Sequence, residues 1–121
     1  MSRSRASAKA AGARFERLIA DCLAEHVDDR IARRVKTGAA DKGDIGGVRT
    51  SSGKRVVVET KDHGGRYLVG PWLDEAEAER INDDAEVGLL IAKRRGVSDP
   101  LQQVVFMQVA DLVALLTGAR P

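Results

Sequence analysis

Aromatic side chains are scarce, with two Phe, one Tyr and one Trp making up 3% of the 121 residues. The core must therefore rest on Val, Leu, Ile and Ala. A single cysteine, Cys22, excludes an internal disulfide and any zinc site built on cysteine pairs, and it fits a reducing compartment. His26 and His63 are the only histidines, too few for a His–Cys zinc site or an HNH-type nuclease centre. No apolar run approaches the roughly 18 residues that span a bilayer. The basic N-terminus, MSRSRASAKAAGAR, has no apolar segment behind it, unlike a secretory signal. The expected location is the cytoplasm, or a host's cytoplasm for a phage gene, with no membrane partner. SSGKR lacks the spaced glycine that a phosphate-cradling P-loop needs, so no nucleotide cofactor is expected.

The chain is long enough for one core and too short for two. Its 43% hydrophobic and 31% charged residues are those of an ordinary globular domain. The net charge of +2 conceals a segregation. Arg3, Arg5, Lys9, Arg14 and Arg17 face only Glu16, and Arg33, Arg34 and Lys36 follow in a second basic cluster. Between positions 74 and 86 the sign reverses, with seven acids against Arg80. Such polarity suits a polyanionic partner, and it equally suits a solvated tail and solvated helix faces.

Residues 1–7 read as a flexible basic arm and 8–121 as one domain. Phe15, Leu18, Ile19, Cys22 and Leu23 recur at the spacing of one helical face, which predicts a helix to about position 25. IARRVK predicts a short strand, TGAADKG a loop and DIGGVRT a second strand. After the turn SSG, the three valines of KRVVVETK mark a strand buried on both faces. DHGGR breaks the pattern. A helix is expected after Pro71, with Trp72, Ala76 and Glu79 or Arg80 marking its faces. VGLLIAKR and QQVVFMQ predict two more strands, and ADLVALL a closing helix. The expected fold is α/β, a mixed sheet of about five strands flanked by helices.

Successive side chains of a strand point to opposite faces, so Arg55, Val57, Glu59 and Lys61 share one side. A buried strand that ends in a carboxylate and an ammonium calls for pairing or chemistry. An antiparallel hairpin through SSG would bring Asp44, fifteen positions earlier, to the end where Glu59 and Lys61 emerge. Asp44, Glu59 and the Thr60 carbonyl would then offer hard oxygen ligands to Mg²⁺, with Mn²⁺ as a substitute. Lys61 would act beside them as a point charge on a phosphodiester. Glu16, at the edge of the helical apolar face, is placed to serve as an outer or water-mediated ligand.

With GARFERLIADCL, GDI, VVVETK and VGLLIAKR in that order, the chain resembles the archaeal-type Holliday-junction resolvases, some of them phage-encoded, among the PD-(D/E)XK nucleases. The resemblance implies a restriction-endonuclease-like fold and a homodimer that nicks opposing strands of a four-way DNA junction. It assigns Glu16 to the helix glutamate, Asp44 and Glu59 to the metal and Lys61 to catalysis. It also sends the basic arm and Arg33, Arg34, Lys36 and Thr37 to backbone phosphates. Gly43 stands where the motif's name has proline.

Plainer readings stand beside these. Glu59 and Lys61 also suit a strand-end ion pair, Asp44 a turn, Glu16 an arginine partner and His63 an exposed loop. Cys22 and Trp72 read as core residues. Other DNA substrates (flaps, single strands, duplex) and a non-catalytic DNA-binding module on the same fold are the competing functions.

Overall fold

A computed structural model describes residues 3–35 and 42–121. Lys36 and Thr37, expected at the phosphate backbone, lie outside them. Helix α1 spans Arg5–His26, and Ser4 caps it by accepting the Ser7 N–H at 3.1 Å. The flexible arm expected over residues 1–7 is not what positions 3–7 form. Positions 5–7 are helical, and the Arg3 guanidinium is anchored on Asp62 at 3.0 Å. The buried face runs Ala11, Phe15, Ile19, Ala20 and Cys22, with Leu18 and Leu23 half-buried beside it.

The sheet is mixed and five-stranded, in the order β1 (Ala32–Arg33), β2 (Ile45–Gly46), β3 (Val56–Lys61), β4 (Val87–Ala92), β5 (Val104–Phe106). Only β3 and β4 are parallel, linked by helix α2 (Val69–Asn82), and helix α3 (Val109–Thr117) follows β5. The first two strands are shorter than their sequence patterns. In β2 the reason is local: Gly47 takes φ +86°, a conformation that turns the chain out of the ladder. Helix α2 starts two residues ahead of Pro71, which falls in its first turn, where a missing N–H costs nothing.

β3 and β4 are buried on both faces, as the valine run and VGLLIA imply. Val56, Val58, Val87, Leu89 and Ile91 meet Phe15 and Ile19 of α1 and Ala114 of α3. On the other face Leu90 and Ala92 meet Trp72 of α2. Complete burial of Val57 and Leu90 contributes on the order of 2 kcal/mol each. Helix α2 crosses β4 at Gly88, where a Cβ would come within 2.9 Å of the Ala76 carbonyl. No helix among the described residues is long and apolar enough to cross a membrane.

One buried charge locks α3 to this strand pair. Asp111, 2% exposed, accepts the Gly88 N–H at 2.9 Å and the Arg120 guanidinium at 2.7 Å. Arg120 also donates to the Glu86 carbonyl at 2.8 Å. Asp111→Ala leaves the buried Gly88 N–H without its acceptor and takes from Arg120 its closest carboxylate. It should cost about 3 kcal/mol in urea unfolding, against less than about 0.5 kcal/mol for a surface change such as Asp29→Ala.

Candidate active site

The site grows from the β2–β3 hairpin. These strands pair antiparallel with Ile45 opposite Val58, which sets Asp44 against Glu59. The Asp44 N–H donates to the Val58 carbonyl at 3.0 Å, extending the ladder by one residue. Its carboxylate Oδ2 accepts the Thr60 N–H at 2.9 Å and the Thr60 hydroxyl at 3.2 Å. This clasp is possible because Gly43 takes φ +91°, and a Cβ there would stand 2.9 Å from Val57 Cγ1 and 3.1 Å from the Val58 carbonyl. A proline, locked near φ −65°, cannot occupy that position, which accounts for the glycine ahead of Asp44.

Glu59 follows on the face that meets α2, and it is 5% exposed. Burial, then hydrogen bonds with Asp44 and Glu79, then their negative charge, push its pKa up to about 12, so it holds a proton at neutral pH. Helix α2 brings two further carboxylates. Glu75 and Glu79 are four residues apart on the side that carries the buried Trp72 and Ala76. One oxygen from each of Glu59, Glu75 and Glu79 lies within 4.8 Å of the others. Lys61 Nζ pairs with Glu75 Oε2 at 2.5 Å and stands 6.0 Å from the Trp72 ring centre. Burial draws its pKa down, but the Glu75 hydrogen bond and the surrounding carboxyl groups outweigh that and leave it above the ordinary lysine value. Lys61 is thus a fixed ammonium donor and not a free amine base.

The expected site residues separate into two groups. Asp44, Glu59, Thr60 and Lys61 come together, and Thr60 takes part through its N–H and hydroxyl as the support of Asp44. Glu16 does not join them. It pairs with Arg33 at 3.1 Å on α1, which packs against the opposite face of β3, the face of Val56 and Val58. The carboxylates that stand beside Glu59 are those of Glu79 and Glu75. The sequence carried a faint signal of this: acids three and seven positions after Trp72 fall on the helix face that the tryptophan buries.

The basic residues divide as well. Arg33 is bound by Glu16, and Arg34, half-buried, pairs with Asp83 at 3.2 Å, so both have internal partners. Arg5, Lys9, Arg14 and Arg17 are exposed along α1. Trp72 is 4% exposed and anchors α2, with the exposed His63 edge-on to it at 5.0 Å. Cys22 is buried in the core, and that burial, with Glu25 and Asp99 nearby, pushes its thiol up, away from a nucleophile's range.

The donor set fits a hard divalent cation. It consists of carboxylates alone, crowded closely enough that Glu59 retains a proton a cation would displace. The chain matches no protein-family model, and comparison with curated proteins and with solved structures likewise gives no match.

Two tests follow from this geometry. A carboxyl whose pKa is raised on folding favours the folded state at low pH, and that advantage is lost as pH rises from about 4.5 toward about 12. In EDTA, Glu59→Gln should therefore melt above the parent protein at pH 8, with the difference closing toward pH 5; a lower melting point at every pH contradicts this. Gly43→Ala should lower stability by about 2 kcal/mol through its forced positive φ and the Val57 contact, as read by urea unfolding.

Proposed function

We propose that the protein is a metal-dependent nuclease of the PD-(D/E)XK type, hydrolysing phosphodiester bonds of DNA. The observation that carries this reading is the meeting of Asp44, Glu59 and Lys61 at the paired ends of β2 and β3, two carboxylates and an ammonium in one partly buried site. Asp44, Glu59 and Glu79 would hold Mg²⁺ or Mn²⁺, with the Glu75 carboxylate beside them. The cation, when bound, supplies Lewis-acid polarisation of the phosphoryl group.

The chain's own residues supply the rest. Thr60 keeps Asp44 from turning away, and α2 and Trp72 exclude bulk water from one side. Lys61, held as an ammonium, donates to the attacked phosphate or to the incoming water and stabilises the charge that develops in the transition state. With its pKa raised it cannot serve as the resting base, so the proton of the attacking water leaves to solvent or to the substrate.

The resolvase resemblance makes a four-way junction the first substrate to try, cut by paired nicks from a homodimer. The pairing of Glu16 with Arg33 and the carboxylates on α2 favour the broader class over that one member. A labelled junction, linear duplex and single strand, each incubated with Mg²⁺ and with EDTA, test both levels. Metal-dependent symmetric nicking of the junction alone supports the resolvase, and cutting of the other substrates supports a nuclease of different specificity. Asp44→Ala, Glu59→Ala and Lys61→Ala should each lower the cleavage rate by about 100-fold or more while DNA binding persists. Undiminished cleavage in these variants removes the assigned site, and tight binding without cutting by the parent protein points to a non-catalytic module.

A further inference from the structure

β3 and β4 end side by side, and the chain leaves each of them in a short loop. The loops are tied where the Lys93 N–H donates to the Lys61 carbonyl at 2.9 Å. They are packed where Gly65 meets Arg95, since a Cβ at Gly65 would lie 2.6 Å from Arg95 Cβ. Gly65 takes φ +89°, so only glycine lets the two loops approach this closely. The crevice beyond the carboxyl ends of neighbouring parallel strands is where open α/β sheets hold their ligands. At that place a cleft of about 650 Å³ is lined by Arg3, Thr60, Lys61, Asp62, Arg66 and Arg95. A smaller recess of about 270 Å³ shares Arg3, Asp62 and Arg95 with it and adds Lys93 and Arg94.

The two recesses are lopsided in charge. Asp62 is their one lining carboxylate, and it already accepts from Arg3. Lys61 has Glu75. Lys93 donates to the Arg94 carbonyl at 2.7 Å, and Arg94 to the Gln102 carbonyl at 3.1 Å. Those carbonyls position the two cations without neutralising them. Arg66 and Arg95 are exposed, and among the described residues neither guanidinium meets a carboxylate. Arg33 and Arg34, by contrast, are each joined to one. Unneutralised positive charge is thus gathered after β3 and β4, beside Lys61.

We propose that this cleft seats the nucleic-acid backbone, with Arg66 and Arg95 each contacting a phosphate that flanks the one held at Lys61. The inference rests on the nuclease reading and names the surface that the reading leaves open. A guanidinium presents a planar fork matched to two phosphate oxygens, which suits a fixed backbone position better than a lysine would. Contacts of this kind position a strand and carry no base preference, so duplex and single strand should both depend on them.

The test is a fluorescence-anisotropy titration of labelled duplex and of labelled single strand in EDTA, where nothing is cut, repeated over a range of salt. Arg66→Gln with Arg95→Gln keeps the aliphatic stems and should leave the melting temperature unchanged. Binding should weaken about tenfold or more. The slope of log K against log salt should fall by roughly 1.8 on duplex and 1.4 on single strand, the values for two lost phosphate contacts. The charge-matched double variant Arg14→Gln with Arg17→Gln, on the side of α1 away from the cleft-lining Ala8 and Gly12, should change binding less than about twofold. Parent-like binding by the Arg66/Arg95 variant overturns the inference and leaves the nuclease reading standing. Equal losses in both double variants also overturn it, because they would mean bulk charge. A folded parent protein that binds no DNA ends both.

Discussion

Two hydrogen bonds from Thr60 to one oxygen of Asp44 hold the site in its shape. They bridge β2 and β3 at the point where regular pairing stops, so the last buried residues of two strands become one rigid unit. The clasp needs a backbone at position 43 that approaches Val57 and Val58 without a side chain between, and Gly43 provides it. With Asp44 fixed, Glu59 is pressed against a second carboxylate in a place that water reaches poorly. The proton that Glu59 keeps follows from its burial first and from the neighbouring carboxylates second.

A cluster of acids weakens a fold unless its surroundings hold the acids in place. Here the surroundings are the two central strands, buried on both faces, and the helix that crosses them. Trp72 fixes the register of α2 against the sheet, and Glu75 and Glu79 ride on that register toward Glu59. Lys61 returns part of the electrostatic cost through Glu75. The Asp111–Arg120 pair ties α3 to β4 at Gly88, and Arg120 reaches Glu77 of α2 as well.

Polar groups show how differently the two faces of the sheet are used. On the α1 side, polar residues such as Glu16 and Arg33 meet each other at the rim of an apolar layer, and they close on themselves. On the α2 side, Glu59 meets Glu75 and Glu79 instead, and beyond the last apolar residue the strand ends carry charged groups into a cleft that Ala8 and Gly12 of α1 also line. The parallel arrangement of β3 and β4 matters for this, because it sends both chains out at the same end. An antiparallel neighbour would have placed the second loop at the far edge and left the cleft with half its cations.

Much of this was legible in the residues alone. Three consecutive valines and VGLLIA mark strands covered on both sides, and the strict alternation of a strand puts Glu59 and Lys61 together on one side whatever the rest of the chain does. The SSG turn determines the hairpin, and the hairpin determines the meeting of Asp44 with Glu59. Local periodicity cannot say which face of a sheet a helix will cover. Glu16 and Glu79 both lie at the margin of an amphipathic helix, and only the packing of α1 against Val56 and Val58, and of α2 against Leu90 and Ala92, separated the arginine partner from the member of the acid cluster. The same is true of the arginines: sequence counts their charges, but whether a guanidinium meets a carboxylate depends on segments dozens of residues away, as Arg34 and Asp83 do. Periods of two and of 3.6 residues are properties of the chain, and partners across the core are properties of its closure.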